Sequence, residues 1–76
     1  MREAVEKLVK LLVEDADSVV VSERPDRSST VIEVRVAQGD MGKIIGREGR
    51  TVKALRSLLH AASQRQAHRY ILDIVE

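Results

Sequence analysis

Gly42-Lys43-Ile44-Ile45-Gly46-Arg47-Glu48-Gly49-Arg50-Thr51-Val52 decides how this chain is read. Two glycines three apart carry little weight alone, because four glycines in 76 residues often fall at such a spacing. Their setting supplies the weight. Met41 to Ile45 has room for only one or two helical turns, and a longer helix begins near Arg50. Without a Cβ at 46 and 49, the backbone can turn sharply between the two helices and approach a ligand closely. The free N–H groups and positive dipole end of the second helix then point at whatever occupies the loop. An anion suits that place, since Lys43, Arg47, Arg50, Lys53 and Arg56 face only Glu48.

Downstream, Val52, Leu55, Leu59 and Ala62 make the inner stripe of a helix from about Arg50 to about Gln64, with Leu58 beside them. The polar run 63–68 reads as the helix end and a loop. Residues 69–75 read as a strand with Tyr70, Leu72 and Ile74 on one face and Ile71, Asp73 and Val75 on the other; Asp73 and Glu76 are expected to be exposed. Upstream, residues 30–37 alternate, with Ile32, Val34 and Val36 inward and Glu33 and Arg35 outward. Pro25 to Ser29 reads as a turn of about five residues, and the β-branched run Val19-Val20-Val21 places a strand at 18–24. Residues 2–16 read as a helix burying Val5, Leu8, Val9 and Leu12. Gln38-Gly39-Asp40 breaks the second strand, with Asp40 as the N-cap of the short helix at 41–45. The order α-β-β-α-α-β predicts an α+β two-layer sandwich, three strands with three helices on one face, in a single domain over 1–76.

Composition narrows the function. The chain has no cysteine, which removes disulfides, thiolate metal sites and cysteine nucleophiles. No apolar run approaches the roughly 20 residues of a membrane helix, and the first residues lack the apolar core of a signal peptide. The expectation is an intact cytoplasmic protein. A net charge of +1 says nothing of partners, but its distribution does. Residues 1–40 carry six basic and nine acidic side chains, and residues 41–76 carry seven basic and three acidic ones, so the cationic excess gathers at the glycine loop. A small domain polarised in this way presents one face to a polyanion.

The segment 42–52 resembles the signature of KH domains, whose GXXG loop clamps about four nucleotides of single-stranded nucleic acid. The element order resembles the type II, prokaryotic arrangement. Over nearly its whole length the chain is similar to the small stand-alone bacterial KH proteins of the KhpA family. The resemblance implies binding of short single-stranded RNA without catalysis, as a post-transcriptional regulator or RNA chaperone-like partner. It also implies a homodimer, or pairing with a KhpB-like KH protein. On this reading Gly46, Arg47, Glu48 and Gly49 form the clamp, and Lys43, Arg50 and Lys53 neutralise backbone phosphates. Ile44, Ile45 and Val52 floor a groove for unstacked bases. Glu48 departs from the more basic versions of the loop and weakens phosphate affinity relative to a lysine.

The same residues admit other readings. The glycine pair also fits a plain turn between packed helices, and the basic stripe a solvated helix face. A P-loop requires Gly-x-x-x-x-Gly-Lys-Ser/Thr after a strand, and this segment has Arg50 where the lysine belongs. His60 and His68 lack partners at metal-ligand spacing, so no metal or other cofactor is expected. His68 with Arg65 and Arg69 is a lesser candidate for nucleic-acid contact. Tyr70, the only aromatic residue, suits packing better than the stacking platforms of RRM or OB folds. No nucleophile–base pair or carboxylate pair can be assembled, which argues against an enzyme or a small-molecule substrate. The remaining rivals are a protein-interaction module of the same fold and a binder of single-stranded DNA.

Overall fold

The computed structural model describes residues 1–75. Its elements run α1 (Arg2–Leu12), β1 (Val20–Asp26), β2 (Ser29–Arg35), α2 (Met41–Ile45), α3 (Arg50–Gln66) and β3 (Arg69–Val75). Short 3-10 turns lie at Ala16–Ser18, Gln38–Asp40 and Arg47–Gly49. The strands form one mixed sheet in the order β1-β2-β3, with β1 antiparallel and β3 parallel to β2. The three helices cover one face, giving the expected α+β sandwich in the expected order.

The registers explain the core. Val21 pairs with Val34, Ile32 with Leu72, and Val34 with Ile74, so these side chains share the helix-facing side. They pack with Val5 and Val9 of α1, Ile44 of α2, and Leu55 and Leu59 of α3. Tyr70 and Ile74 pack against the edge of this cluster from β3. As expected, Glu33 and Arg35 turn to the other face, where Arg24 Nε donates to Glu33 Oε1 at 2.6 Å. Asp73 is exposed, and Glu76 lies outside the described residues.

Several boundaries differ from the sequence reading. The first helix stops at Leu12 rather than at 16, because Val13 turns extended and its successors bond elsewhere. Only Val5 and Val9 of its stripe are buried, whereas Leu8 and Leu12 are each 40% exposed and Leu11 is 82% exposed. The hairpin is tighter than five residues. Pro25 and Asp26 belong to β1, and only Arg27 and Ser28 remain between the strands. Arg27 takes φ 56°, as tight hairpin turns require of their first central residue. Pro25 is tolerated because β1 is an edge strand, and with Asp26 and Ser29 closing the turn its nitrogen faces the free edge.

The last helix continues to Gln66, two residues past the expected end. Ala67 stops it in the left-handed conformation, φ 52°, with its N–H on the Gln64 carbonyl and the His68 N–H on that of Ser63. This is the Schellman arrangement, here closed by alanine instead of glycine. Ser63 ties the helix to the sheet: its hydroxyl donates to the Leu59 carbonyl and accepts the Tyr70 N–H, both at 2.8 Å. Leu58, expected beside the inner stripe, is 55% exposed.

Candidate nucleic-acid interface

The glycine loop sits where α2 meets α3, and its shape is set by two backbone conformations. Gly46 takes φ 77° and ψ 171°, a region that side chains exclude. A Cβ there would lie 2.7 Å from the Thr51 nitrogen and 2.8 Å from the Thr51 Cβ, with Thr51 Oγ1 closer still. Gly46 therefore lets the first turn of α3 approach the end of α2 closely. Gly49 takes φ 75° and ψ 16°, left-handed, but a Cβ there would meet nothing nearer than Val52 Cγ1 at 3.9 Å. Between them Glu48 is also left-handed at φ 56°. The Gly46 N–H bonds the Gly42 carbonyl at 2.8 Å, and the Gly49 N–H bonds the Gly46 carbonyl at 3.2 Å. The loop is thus a fixed turn with internal bonds.

The side chains expected at the site divide into groups. Arg47, Arg50 and Lys53 are exposed around the loop, and among the described residues none of them ion-pairs with a carboxylate. Glu48 is exposed between the glycines and likewise unpaired among these residues. Lys43 differs: its Nζ lies 2.8 Å from Glu14 Oε1 and 3.6 Å from Asp40 Oδ1. The bond to Glu14 holds its pKa above the ordinary lysine value, with the charge of Asp40 adding to the effect. Ile44 has no exposed surface and supports the loop from beneath, so it offers no wall to a ligand. Ile45, 42% exposed, and the half-buried Val52 are the apolar surface that remains at the loop.

Asp40 stands at the N-cap position of α2, as expected, but its side chain caps nothing in that helix. Its carboxylate accepts the backbone N–H of Glu14 at 3.2 Å and of Asp15 at 3.0 Å. These bonds, first that from Asp15 and then that from Glu14, hold its pKa below the ordinary aspartate value, aided by Lys43.

A groove of about 770 Å³ runs between α3 and β3. Arg56, His60 and Gln64 line it from the helix, and Arg69, Tyr70 and Ile71 from the strand. Arg56, His60 and Gln64 lie beyond Lys53 at helical spacing, so the groove continues the cationic stripe that starts at the loop. The sequence reading considers His60 only as a metal ligand and misses this placement, although the spacing from Lys53 carries the signal. Tyr70 packs rather than stacks, its hydroxyl donating to Gln66 Oε1 at 2.8 Å and its ring meeting His68 edge-on at 5.0 Å. Among the described residues no cluster of His, Asp or Glu could hold a metal ion, and no helix is long and apolar enough to cross a membrane.

Comparison with known proteins adds a family to this geometry. Residues 2–74 match the family model described as KhpA/KhpB, KH domain. The "RNA-binding protein KhpA" of Halalkalibacterium halodurans is 47% identical over 76 residues, covering all of both chains. The protein of that name from Caldanaerobacter subterraneus subsp. tengcongensis is 41% identical over 75 residues, 99% of this chain and 100% of the relative. That from Streptomyces coelicolor is 43% identical over 74 residues, 97% of this chain and 94% of the relative. No solved structure matches the chain.

Proposed function

This chain belongs to the KhpA/KhpB KH-domain family, and from that premise we propose that it is a non-catalytic module gripping a short single strand of RNA at the Gly46–Gly49 loop and the adjoining start of α3. One observation carries the reading: Arg47, Arg50 and Lys53 surround a turn that only glycine can make, and no described carboxylate neutralises them. In this proposal Arg47 and Arg50 hold backbone phosphates, Lys53 supports them one turn on, and Ile45 and Val52 receive the face of an unstacked base. The relatives' name, RNA-binding protein, supports RNA as the occupant. Contacts of this kind bind modestly and with clear salt dependence.

Replacing Arg47 and Glu48 together by aspartates tests the assignment. Both side chains are exposed, so the circular dichroism spectrum and urea midpoint should persist while retention of a fluorescent single-stranded RNA is lost. Retention at the wild-type level would favour the protein-interaction reading instead. Competition by a DNA oligonucleotide of matched sequence decides between the two nucleic acids.

The proposal includes pairing. Leu8 of α1 and Leu58 of α3 are 40% and 55% exposed and line one shallow apolar pocket with Met1 and Ala4. A second copy, or a KhpB-like KH protein, covers this face, and two linked sites raise the effective concentration of the second above that of a lone domain. The setting is the cytoplasm, in the role of a post-transcriptional regulator or RNA chaperone-like partner.

A further inference from the structure

The cations of the loop segment do not share one environment, and Asp40 is the reason. It is the one charged residue among the buried ones of the described chain, 4% exposed, where every other buried side chain is Val, Leu or Ile. A carboxylate is costly to bury unless hydrogen bonds replace its water. Here both oxygens are engaged by the N–H groups of Glu14 and Asp15, 26 and 25 residues away, in the chain that leaves α1. Glu14 in turn holds Lys43, one turn into α2, at 2.8 Å. The end of α1 is thereby fastened to both the first residue before α2 and the middle of α2.

The consequence falls on the loop. With five residues, α2 is far too short to hold its own direction as an isolated helix. It is fixed at its start by Asp40, on its inner side by the fully buried Ile44, and on its outer side by Lys43. The Gly46 N–H bonds the Gly42 carbonyl, so the entry to the loop inherits the orientation of that single turn. We infer that Asp40, Glu14 and Lys43 form a latch that positions the glycine loop from the end of α1, and that Lys43 serves this latch instead of contacting phosphate. Asp40 is then a positioning residue, and the phosphate contacts fall to the unpaired Arg47, Arg50 and Lys53. The inference about Lys43 rests on the RNA reading above; the latch itself does not.

Salt titration separates a phosphate contact from a positioning role, because each lost contact to a single strand lowers the slope of log K against log salt by about 0.7. Arg50→Gln should lower the slope by that amount. Lys43→Gln should weaken binding yet keep the wild-type slope, and a slope reduced as much as that of Arg50→Gln would overturn the assignment. Amide hydrogen exchange reads the latch without RNA. Asp40→Asn should speed exchange at Gly46 and Gly49 roughly tenfold while Ile32 and Val34 keep their protection. Unchanged loop amides would overturn the latch. Should Asp40→Asn not fold, Glu14→Gln and Lys43→Gln, both at exposed positions, report on the same two amides with the same criterion. If the wild-type protein bound no RNA, the proposed function would fall, and the exchange experiment would still decide the latch.

Discussion

The two glycines of the loop are not equivalent, and alanine at each should show it. At Gly46 an alanine meets two costs. The backbone conformation, φ 77° and ψ 171°, lies in a region that is essentially closed to side chains, a strain of about 1–3 kcal/mol. The new Cβ would also stand 2.7 Å from a backbone nitrogen and 2.8 Å from the Thr51 Cβ, and backbone in the first turn of a packed helix does not move cheaply. A total of about 3 kcal/mol or more is expected. At Gly49 the conformation is ordinary left-handed and the nearest atom is 3.9 Å away, so only conformational strain remains. That strain is roughly 1–2 kcal/mol, partly offset because alanine loses less entropy on folding, for a net cost of about 1 kcal/mol. A chain of 76 residues has of the order of 4–11 kcal/mol of stability in all, so Gly46→Ala removes a large share and Gly49→Ala a small one. With a urea slope of about 1 kcal/mol/M for so small a protein, the midpoints should fall by about 3 M and about 1 M. Adding Thr51→Ala to Gly46→Ala removes the hydroxyl but leaves the nitrogen and Cβ contacts in place, so it should recover less than half of the loss. Equal midpoints for the two alanine variants, or full recovery in the double variant, would refute this account of the loop.

Other parts of the molecule make three further outcomes testable. Ala67 closes α3 with φ 52°, so Ala67→Gly should raise stability by about 0.5–1 kcal/mol, seen as a higher urea midpoint at an unchanged slope. Asp40 has a folded pKa below its ordinary value of 3.8, so its contribution is complete above that value and is lost as pH falls through the lower folded one. The thermal midpoint of the wild type should therefore fall more steeply than that of Asp40→Asn over this acid range, and parallel curves would contradict the assigned bonds. Leu58→Asp places a charge in the exposed apolar face between α1 and α3; on the proposed pairing, light scattering should show a dimer for the wild type and a monomer for the variant, with circular dichroism unchanged.

How much of the fold is legible in the sequence depends on the range over which each feature is determined. Periodicity is local, and it places every helix and strand in the right order. It also identifies Ile32, Val34, Leu55, Leu59 and Leu72 as inward-facing, because a side chain's face depends only on its neighbours a few residues away. The hairpin turn is misplaced because Pro25 and Asp26 are strong turn formers, yet an edge strand accepts both. Whether β1 is an edge depends on the strand order, which no local pattern contains. The first helix reads too long for a related reason. Its end is set by where the N–H groups of Glu14 and Asp15 find an acceptor, and that acceptor, Asp40, lies 26 and 25 residues further on.

The same division runs through the site. The glycine loop is legible because its geometry depends on residue types at 46 and 49, and the structure shows how strictly Gly46 is required. The charge that the loop presents is not. Counted along the sequence, Lys43 is one of five equivalent cations around one acid. In the fold it faces Glu14 and Asp40, while Arg47, Arg50 and Lys53 face solvent. A cation already paired with a carboxylate must break that pair before it can neutralise a phosphate, and it releases fewer counterions when it does. On the proposed reading, counting lysines and arginines overstates the electrostatic part of binding by this domain. The salt slope then follows the number of cations left unpaired once the chain has folded, three at this loop, and a slope set by all five cations of the segment would contradict the reading.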